Sequence, residues 1–140
     1  MICNSAGRPV AYVCSPYAPR DGETVGQHVL WARALARLAW DDGYWPVAPH
    51  LYLTQLLSDS NPAERQQGLQ IGLDLVRKAA VLYAYPLDNP SAGMMRELTL
   101  AHGCDIPVRP VLYADLAEAA GRLPGAPALL PLPARLTVSG

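Results

Sequence analysis

Short apolar runs alternate with longer segments of helical periodicity along most of this chain, and that order constrains the fold more than any other feature. Residues 10–14 and 81–85 are apolar runs that end in proline-containing loops, as expected of buried strands. Residues 44–48 and 107–113 are two further strand candidates, of which the first contains Pro46 and so suits an edge position. The resulting order, β-α-β-α-α-β-α-β, predicts an α/β fold with a parallel sheet and right-handed crossovers.

Helix signals fill the segments between the strand candidates. Thr24 can cap the first helix, Pro62 suits the first turn of another, and Gly103 ends a third. The helices are expected from residue 25 to a stop at 41–43 and over 63–78, 93–102 and 115–122, with a short helical segment within 49–57. The remaining residues are rich in Pro, Leu and Ala, and we expect this tail to pack on the domain or on a partner subunit.

Composition and charge narrow the classes of partner. The formal net charge is −1, so the chain lacks the basic field that attracts polyanions, and we expect no nucleic-acid partner. Neither a run of about 18 apolar residues nor a signal peptide is evident, so we expect a cytoplasmic protein without membrane association. Charged residues make up only 16% of the chain, below the usual quarter, and this favours a homo-oligomer.

Two loops follow predicted strands at the edge where open parallel sheets bind ligands. The loop after residue 14 contains Ser15, Pro16 and Tyr17, and the loop before the helix at 93 contains Asp88, Asn89, Ser91 and Gly93. In the second loop, a helix N-terminus, a hydroxyl and a glycine backbone together form a candidate cradle for phosphate or carboxylate. An ordinary Asn/Ser helix cap is the alternative interpretation of the same residues.

Glu97 lies one turn into that helix, and no basic residue occurs at i±3 or i±4 from it. Burial of a carboxylate on an apolar stripe costs free energy, so a buried Glu97 would indicate a functional residue. An exposed Glu that is favoured by the helix dipole is an equal alternative. His50 either contacts a ligand or has a structural role, whereas His28 and His102 are interpreted as surface or packing residues. The chain has neither metal-ligand spacing nor a G-x-G-x-x-G motif, so we expect no metal and no dinucleotide cofactor.

The chain resembles the nucleoside 2-deoxyribosyltransferase-like superfamily, which includes nucleoside 5′-monophosphate N-glycoside hydrolases. It is most similar to small bacterial and phage-associated members. The most specific match is S-x-G-x-x-x-E at residues 91–97, and the other matching stretches are 12–17, 44–50, 89–90 and 106–108. The resemblance implies a Rossmann-like three-layer fold over residues 1–113, with 114–140 as a C-terminal helix and tail.

The resemblance also implies a reaction. Glu97 would attack the anomeric carbon of a (deoxy)ribose, the base would leave, and water or a second base would resolve the glycosyl-enzyme ester. Ser91 would hold a 5′-phosphate, and Tyr17 would lie near the sugar and Glu97. The residues expected to contact the ligand are Ser15, Pro16, His50, Asp88, Asn89, Ser91, Gly93 and Met94.

Two positions depart from the superfamily pattern, because Ala80 and Gly72 stand where members carry acids that orient the substrate. Two functions therefore remain. The first is a nucleoside or nucleotide N-glycoside hydrolase or 2-deoxyribosyltransferase with Glu97 as nucleophile. The second is a non-catalytic protein that binds a nucleotide and sequesters or senses a nucleotide-derived signal. An interaction domain that uses its apolar tail is a weaker third possibility.

Overall fold

The computed structural model describes residues 7–126, which form a parallel four-stranded sheet in the order β2-β1-β3-β4. The strands are β1 (Val10–Cys14), β2 (Trp45–Val47), β3 (Val81–Ala84) and β4 (Val108–Pro110). The helices are α1 (Val25–Asp41), α2 (Pro62–Arg77), α3 (Ala92–Gly103) and α4 (Tyr113–Ala120). The predicted α/β fold with a parallel sheet is confirmed.

The sheet is the middle of three layers. On one side Val13 and Tyr83 pack with α1 and α4, and on the other side Tyr12 and Leu82 pack with α2 and α3. Every residue of β1 and β3 is buried, because both faces of these central strands are covered. The alternation of side chains along β1 therefore directs Tyr12 towards α2 and α3, the layer that carries the predicted nucleophile.

The helix starts follow the predicted capping chemistry. Thr24 and Gln27 form a capping box at α1, in which each side chain accepts the backbone N–H of the other residue. Asn61 caps α2, and Pro62 occupies its first turn. Ser91 caps α3 by accepting a hydrogen bond from the Met94 backbone N–H at 3.2 Å. The interpretation of Ser91 as a helix cap is therefore confirmed.

The last predicted strand and the short helix differ from expectation. β4 ends at Pro110, which has no N–H to donate, and α4 begins at Tyr113 rather than at residue 115. The short helical segment is two 3-10 turns, Pro49–Leu51 and Leu53–Gln55. Within residues 7–126, no helix has the length and apolar character needed to cross a membrane. The predicted packing of the tail concerns residues 127–140, which lie outside the described part of the chain.

Candidate functional site

A cleft of about 510 Å³ opens at the carboxyl ends of β1 and β3. Its walls come from the loop after β1, the two 3-10 turns, α2 and the first half of α3. This is the edge at which open parallel sheets bind ligands. The predicted site residues that line the cleft are Ser15, Tyr17, His50, Ser91, Gly93, Met94 and Glu97.

Glu97 is buried in the wall of this cleft, with 8% of its surface exposed. The Tyr12 hydroxyl donates a hydrogen bond of 2.5 Å to its Oε2. The other oxygen, Oε1, is buried and has no hydrogen-bond partner among residues 7–126. Of the two alternatives for this residue, the structure therefore favours the buried carboxylate over the exposed one.

Burial raises the pKa of Glu97 to about 7, and the hydroxyl of Tyr12 and the thiol of Cys14 oppose this shift by favouring the charged form. Burial and the nearby Glu97 charge raise the pKa of Tyr12 well above its usual range, so Tyr12 keeps its proton and remains the donor. A carboxyl group with a pKa near 7 is present in both forms at neutral pH. This property suits nucleophilic or general acid–base chemistry.

Gly72 of α2 faces the same pair of side chains. A Cβ atom at this position would lie 3.2 Å from the Tyr12 hydroxyl oxygen and 3.5 Å from Glu97 Oε2. The α2 backbone therefore packs so closely against the Tyr12–Glu97 pair that even a methyl group at this position would require the Tyr12 hydroxyl to shift. This is the position at which the sequence resemblance leads one to expect an acid.

Cationic and hydrogen-bonding groups meet at the N-terminus of α3. Ser91 Oγ accepts the Met94 N–H and keeps its own hydroxyl hydrogen for donation. Arg20 donates from Nη1 to the Asn89 carbonyl at 2.7 Å, and its Nη2 is buried without a partner among the described residues. The Arg96 guanidinium lies 3.7 Å from the place of a Cβ on Gly93. With the helix dipole, these groups make a region suited to an anion.

A different part of the cleft is aromatic and apolar. The rings of Tyr17 and His50 stack, with centroids 5.9 Å apart and planes at 29°. Burial lowers the pKa of His50, so its imidazole is neutral at pH 7. The neighbouring wall carries Leu53, Leu57 and Leu69. Such a wall suits a flat heteroaromatic ring that has few polar contacts to satisfy.

Three predicted ligand contacts do not lie on the wall of the cleft. Pro16 is buried away from it, and Asp88 and Asn89 are exposed in the loop before α3. Asn89 still contributes, because its backbone carbonyl holds Arg20. Sequence position alone placed these residues in ligand loops, but it did not tell which side chains turn towards the cleft.

Sequence analysis missed three residues at or beside the site. The hydroxyl that contacts Glu97 belongs to Tyr12, which appeared only as part of a strand, whereas Tyr17 stacks on His50. Arg20 carried no motif that would have singled it out. His28, interpreted as a surface or packing residue, is 1% exposed and hydrogen-bonded through both ring nitrogens.

The fold and cleft define the class: a three-layer α/β protein with a ligand-sized cleft at the carboxyl ends of its parallel strands. Residues 9–111 match a family described as a domain of unknown function, DUF7768, and the chain belongs to that family. The matched region runs from the start of β1 past the end of β4, so it contains the cleft. No curated protein sequence matches the chain. Among residues 7–126, no cluster of His, Cys, Asp and Glu could hold a metal ion.

Proposed function

We propose that this protein is a nucleotide N-glycoside hydrolase or 2-deoxyribosyltransferase in which Glu97 is the nucleophile. The observation that carries the proposal is the arrangement of the Glu97 carboxyl group. One oxygen is held by Tyr12, the other is buried without a hydrogen-bond partner among the described residues, and Glu97 itself lines the cleft. A buried carboxylate oxygen without a partner costs stability, and such a cost is typical of functional sites.

In the proposed reaction, Glu97 Oε1 attacks the anomeric carbon of the sugar through an oxocarbenium-like transition state. The C–N glycosidic bond breaks, and the base leaves with the bonding electron pair and takes up a proton from solvent water. Water or a second base then attacks the same carbon and releases Glu97 from the ester. Tyr12 holds Oε2 throughout, which fixes the direction of Oε1. The S-x-G-x-x-x-E resemblance noted in the sequence supports the same assignment.

The rest of the cleft supports a phosphorylated substrate. Ser91, Arg20 and Arg96 lie together at the N-terminus of α3, where a 5′-phosphate would be neutralised. The stacked Tyr17 and His50 rings would contact the base. We therefore propose a nucleoside 5′-monophosphate as the substrate class. The net charge of −1 does not oppose this, because a small anion needs only a local cationic site.

The direct test is base release from a panel of nucleosides and nucleotides, measured by chromatography. Glu97→Gln should lower the rate by several orders of magnitude and leave ligand affinity within about tenfold, or roughly 1.4 kcal/mol. Glu118→Gln is the matched control, because this glutamate is exposed on α4, across the sheet from the cleft. The proposal fails if the wild type binds a nucleotide yet leaves it intact over hours, or if Glu97→Gln is as fast as the wild type.

One observation favours a second candidate, a protein that binds a nucleotide without cleaving it. Gly72 packs against the Tyr12–Glu97 pair and carries no side chain where the resemblance leads one to expect an acid that orients the substrate. Ala80 lacks the other expected acid. A protein of this kind would sequester or sense a nucleotide-derived signal. Tight binding of a nucleotide together with no base release would support this candidate over the enzyme.

We also propose that the chain forms a cytoplasmic homo-oligomer in which a neighbouring subunit completes the cleft. Several large apolar side chains are exposed, namely Trp45, Tyr52, Leu56, Met95 and Leu112. Together with the low charge of the chain, these side chains favour association. Light scattering at micromolar concentration should give at least a dimer mass, and a monomer mass would contradict the proposal.

A further inference from the structure

Ser15 is, besides Glu97, a buried polar residue on the wall of the cleft. Within residues 7–126 three polar residues are buried, namely Ser15, His28 and Glu97, and of these Ser15 and Glu97 line the cleft. Ser15 is 1% exposed, and its Oγ has no hydrogen-bond partner among the described residues. A buried hydroxyl without a partner costs free energy, and a ligand that supplies an acceptor removes this cost. The Ser15 hydroxyl therefore points to a contact with the ligand.

The neighbours of Ser15 place it between the proposed nucleophile and the aromatic part of the cleft. Cys14, the preceding residue, has its Sγ 4.0 Å from the Met94 carbonyl oxygen, and its thiol favours the charged form of Glu97, one turn further along α3. On the other side, burial lowers the pKa of His50, and the backbone of Ser15 opposes this shift. With the sugar against Glu97 and the base against His50, Ser15 lies beside the glycosidic bond.

The chemistry of nucleobases gives a hydroxyl at this point a function. Each base carries a hydrogen-bond acceptor next to its glycosidic nitrogen, which is N3 in a purine and O2 in a pyrimidine. As the C–N bond breaks, the base keeps the electron pair, and negative charge spreads from the glycosidic nitrogen to this acceptor. A hydrogen bond donated to the acceptor then becomes charge-assisted, so it stabilises the transition state more than the bound substrate.

We infer that Ser15 is a catalytic residue whose hydroxyl donates a hydrogen bond to N3 or O2 of the departing base. The inference rests on the proposed function, because it takes Glu97 as the nucleophile and the wall around His50 as the base subsite. Ser15 keeps its proton throughout, and the base takes up its proton from solvent water. Because purines and pyrimidines both carry the acceptor, the contact serves either kind of base.

The experiment compares substrates with and without this acceptor. Base release is measured from dAMP and its 3-deaza analogue, in which C–H replaces N3, and from dUMP and its 4-pyrimidinone analogue, in which hydrogen replaces O2. Each is tested with the wild type, Ser15→Ala and Ser60→Ala. Ser60→Ala is the matched control, because Ser60 is exposed, hydrogen-bonds to Ser58 and does not line the cleft.

Ser15→Ala should lower kcat/KM about 10- to 100-fold for dAMP or dUMP, whichever the wild type cleaves, with most of the loss in kcat. For the matching analogue without the acceptor, the same substitution should lower kcat/KM by less than about threefold, because the hydrogen bond is already absent. Ser60→Ala should behave as the wild type with every substrate. An equal loss for both members of a pair would overturn the inference.

Two further measurements address other roles for Ser15. The sugar 2′-hydroxyl is another acceptor near the anomeric carbon, so a loss in Ser15→Ala that appears with AMP but not with dAMP would overturn the inference. Urea denaturation of the ligand-free protein tests a structural role. Because Oγ has no partner to lose among the described residues, Ser15→Ala should be at least as stable as the wild type. A marked loss of stability, or a variant that does not fold, would also overturn the inference.

Dissociation constants for the same nucleotides, measured by calorimetry, separate this inference from the proposed function. Base release by the wild type, with Ser15→Ala affecting both members of a pair alike, overturns the inference alone. If no base is released and Ser15→Ala weakens binding of dAMP or dUMP more than binding of its analogue, the enzyme is overturned and the Ser15 contact stands. A wild type that binds none of these nucleotides overturns both.

Discussion

Replacement of Glu97 by glutamine should make the protein more stable relative to the wild type at alkaline pH than at acidic pH, although it removes the proposed nucleophile. Burial raises the pKa of this carboxyl group from 4.5 to about 7. Between these values the folded chain binds more protons than the unfolded chain, so the free energy of unfolding declines as pH rises through this window. The difference of about 2.5, at about 1.36 kcal/mol per pH unit, makes ionised Glu97 cost about 3 kcal/mol above pH 7.

Urea denaturation at pH 5 and pH 8.5 measures this cost. Glu97→Gln should gain up to about 3 kcal/mol relative to the wild type between the two pH values, because glutamine carries no charge to desolvate. The side-chain amide also leaves a buried polar group unpaired, which shifts the stability equally at both pH values, so the change with pH is the quantity to compare. Glu118→Gln should show no comparable gain, because its side chain is 77% exposed. A difference between Glu97→Gln and wild type that stays the same at both pH values would refute the argument.

Two further substitutions test the contacts around the carboxyl group and the anion region. Tyr12→Phe removes a hydrogen bond to a charged group, worth about 1.5–3 kcal/mol, so the pKa of Glu97 should rise by about 1–2 and carry the acidic limb of the pH–rate profile with it. An unmoved profile would show that Tyr12 does not tune Glu97. Ser91→Ala should weaken nucleotide binding by about 0.5–2 kcal/mol and barely affect the unphosphorylated nucleoside. Equal losses of affinity for both ligands would show that Ser91 does not contact the phosphate. Because the substitution also removes the helix cap, the free energy of unfolding should fall by about 1 kcal/mol with either outcome.

Local chemistry accounts for the parts of the structure that the sequence predicted correctly. The continuous apolar runs at β1 and β3 indicated strands covered on both faces, and both are buried throughout. Thr24 and Ser91 cap helices through hydrogen bonds that span only three residues. The burial of Glu97 was one of two interpretations, and it rested on the lack of basic residues at helical spacing.

The missed features depend on contacts between distant or irregular parts of the chain. Tyr12 and Glu97 are 85 residues apart, and a strand buried on both faces has no polar alternation to show which side chains face α3. The contacts of His28 depend on how an irregular loop folds back onto α1, which its helical position does not reveal. β4 was predicted too long because the apolar pattern continues past Pro110, where the strand ends.

The most direct test of the central claim is mass spectrometry of the enzyme during reaction with a 2′-fluoro analogue of a nucleoside 5′-monophosphate. The electron-withdrawing fluorine slows hydrolysis of the glycosyl ester, so the covalent intermediate should accumulate. After acid quench and digestion, the account predicts a fluorinated sugar phosphate on the peptide that contains Glu97. An adduct on another residue, or base release without any adduct on this peptide, would contradict the assignment of Glu97 as the nucleophile.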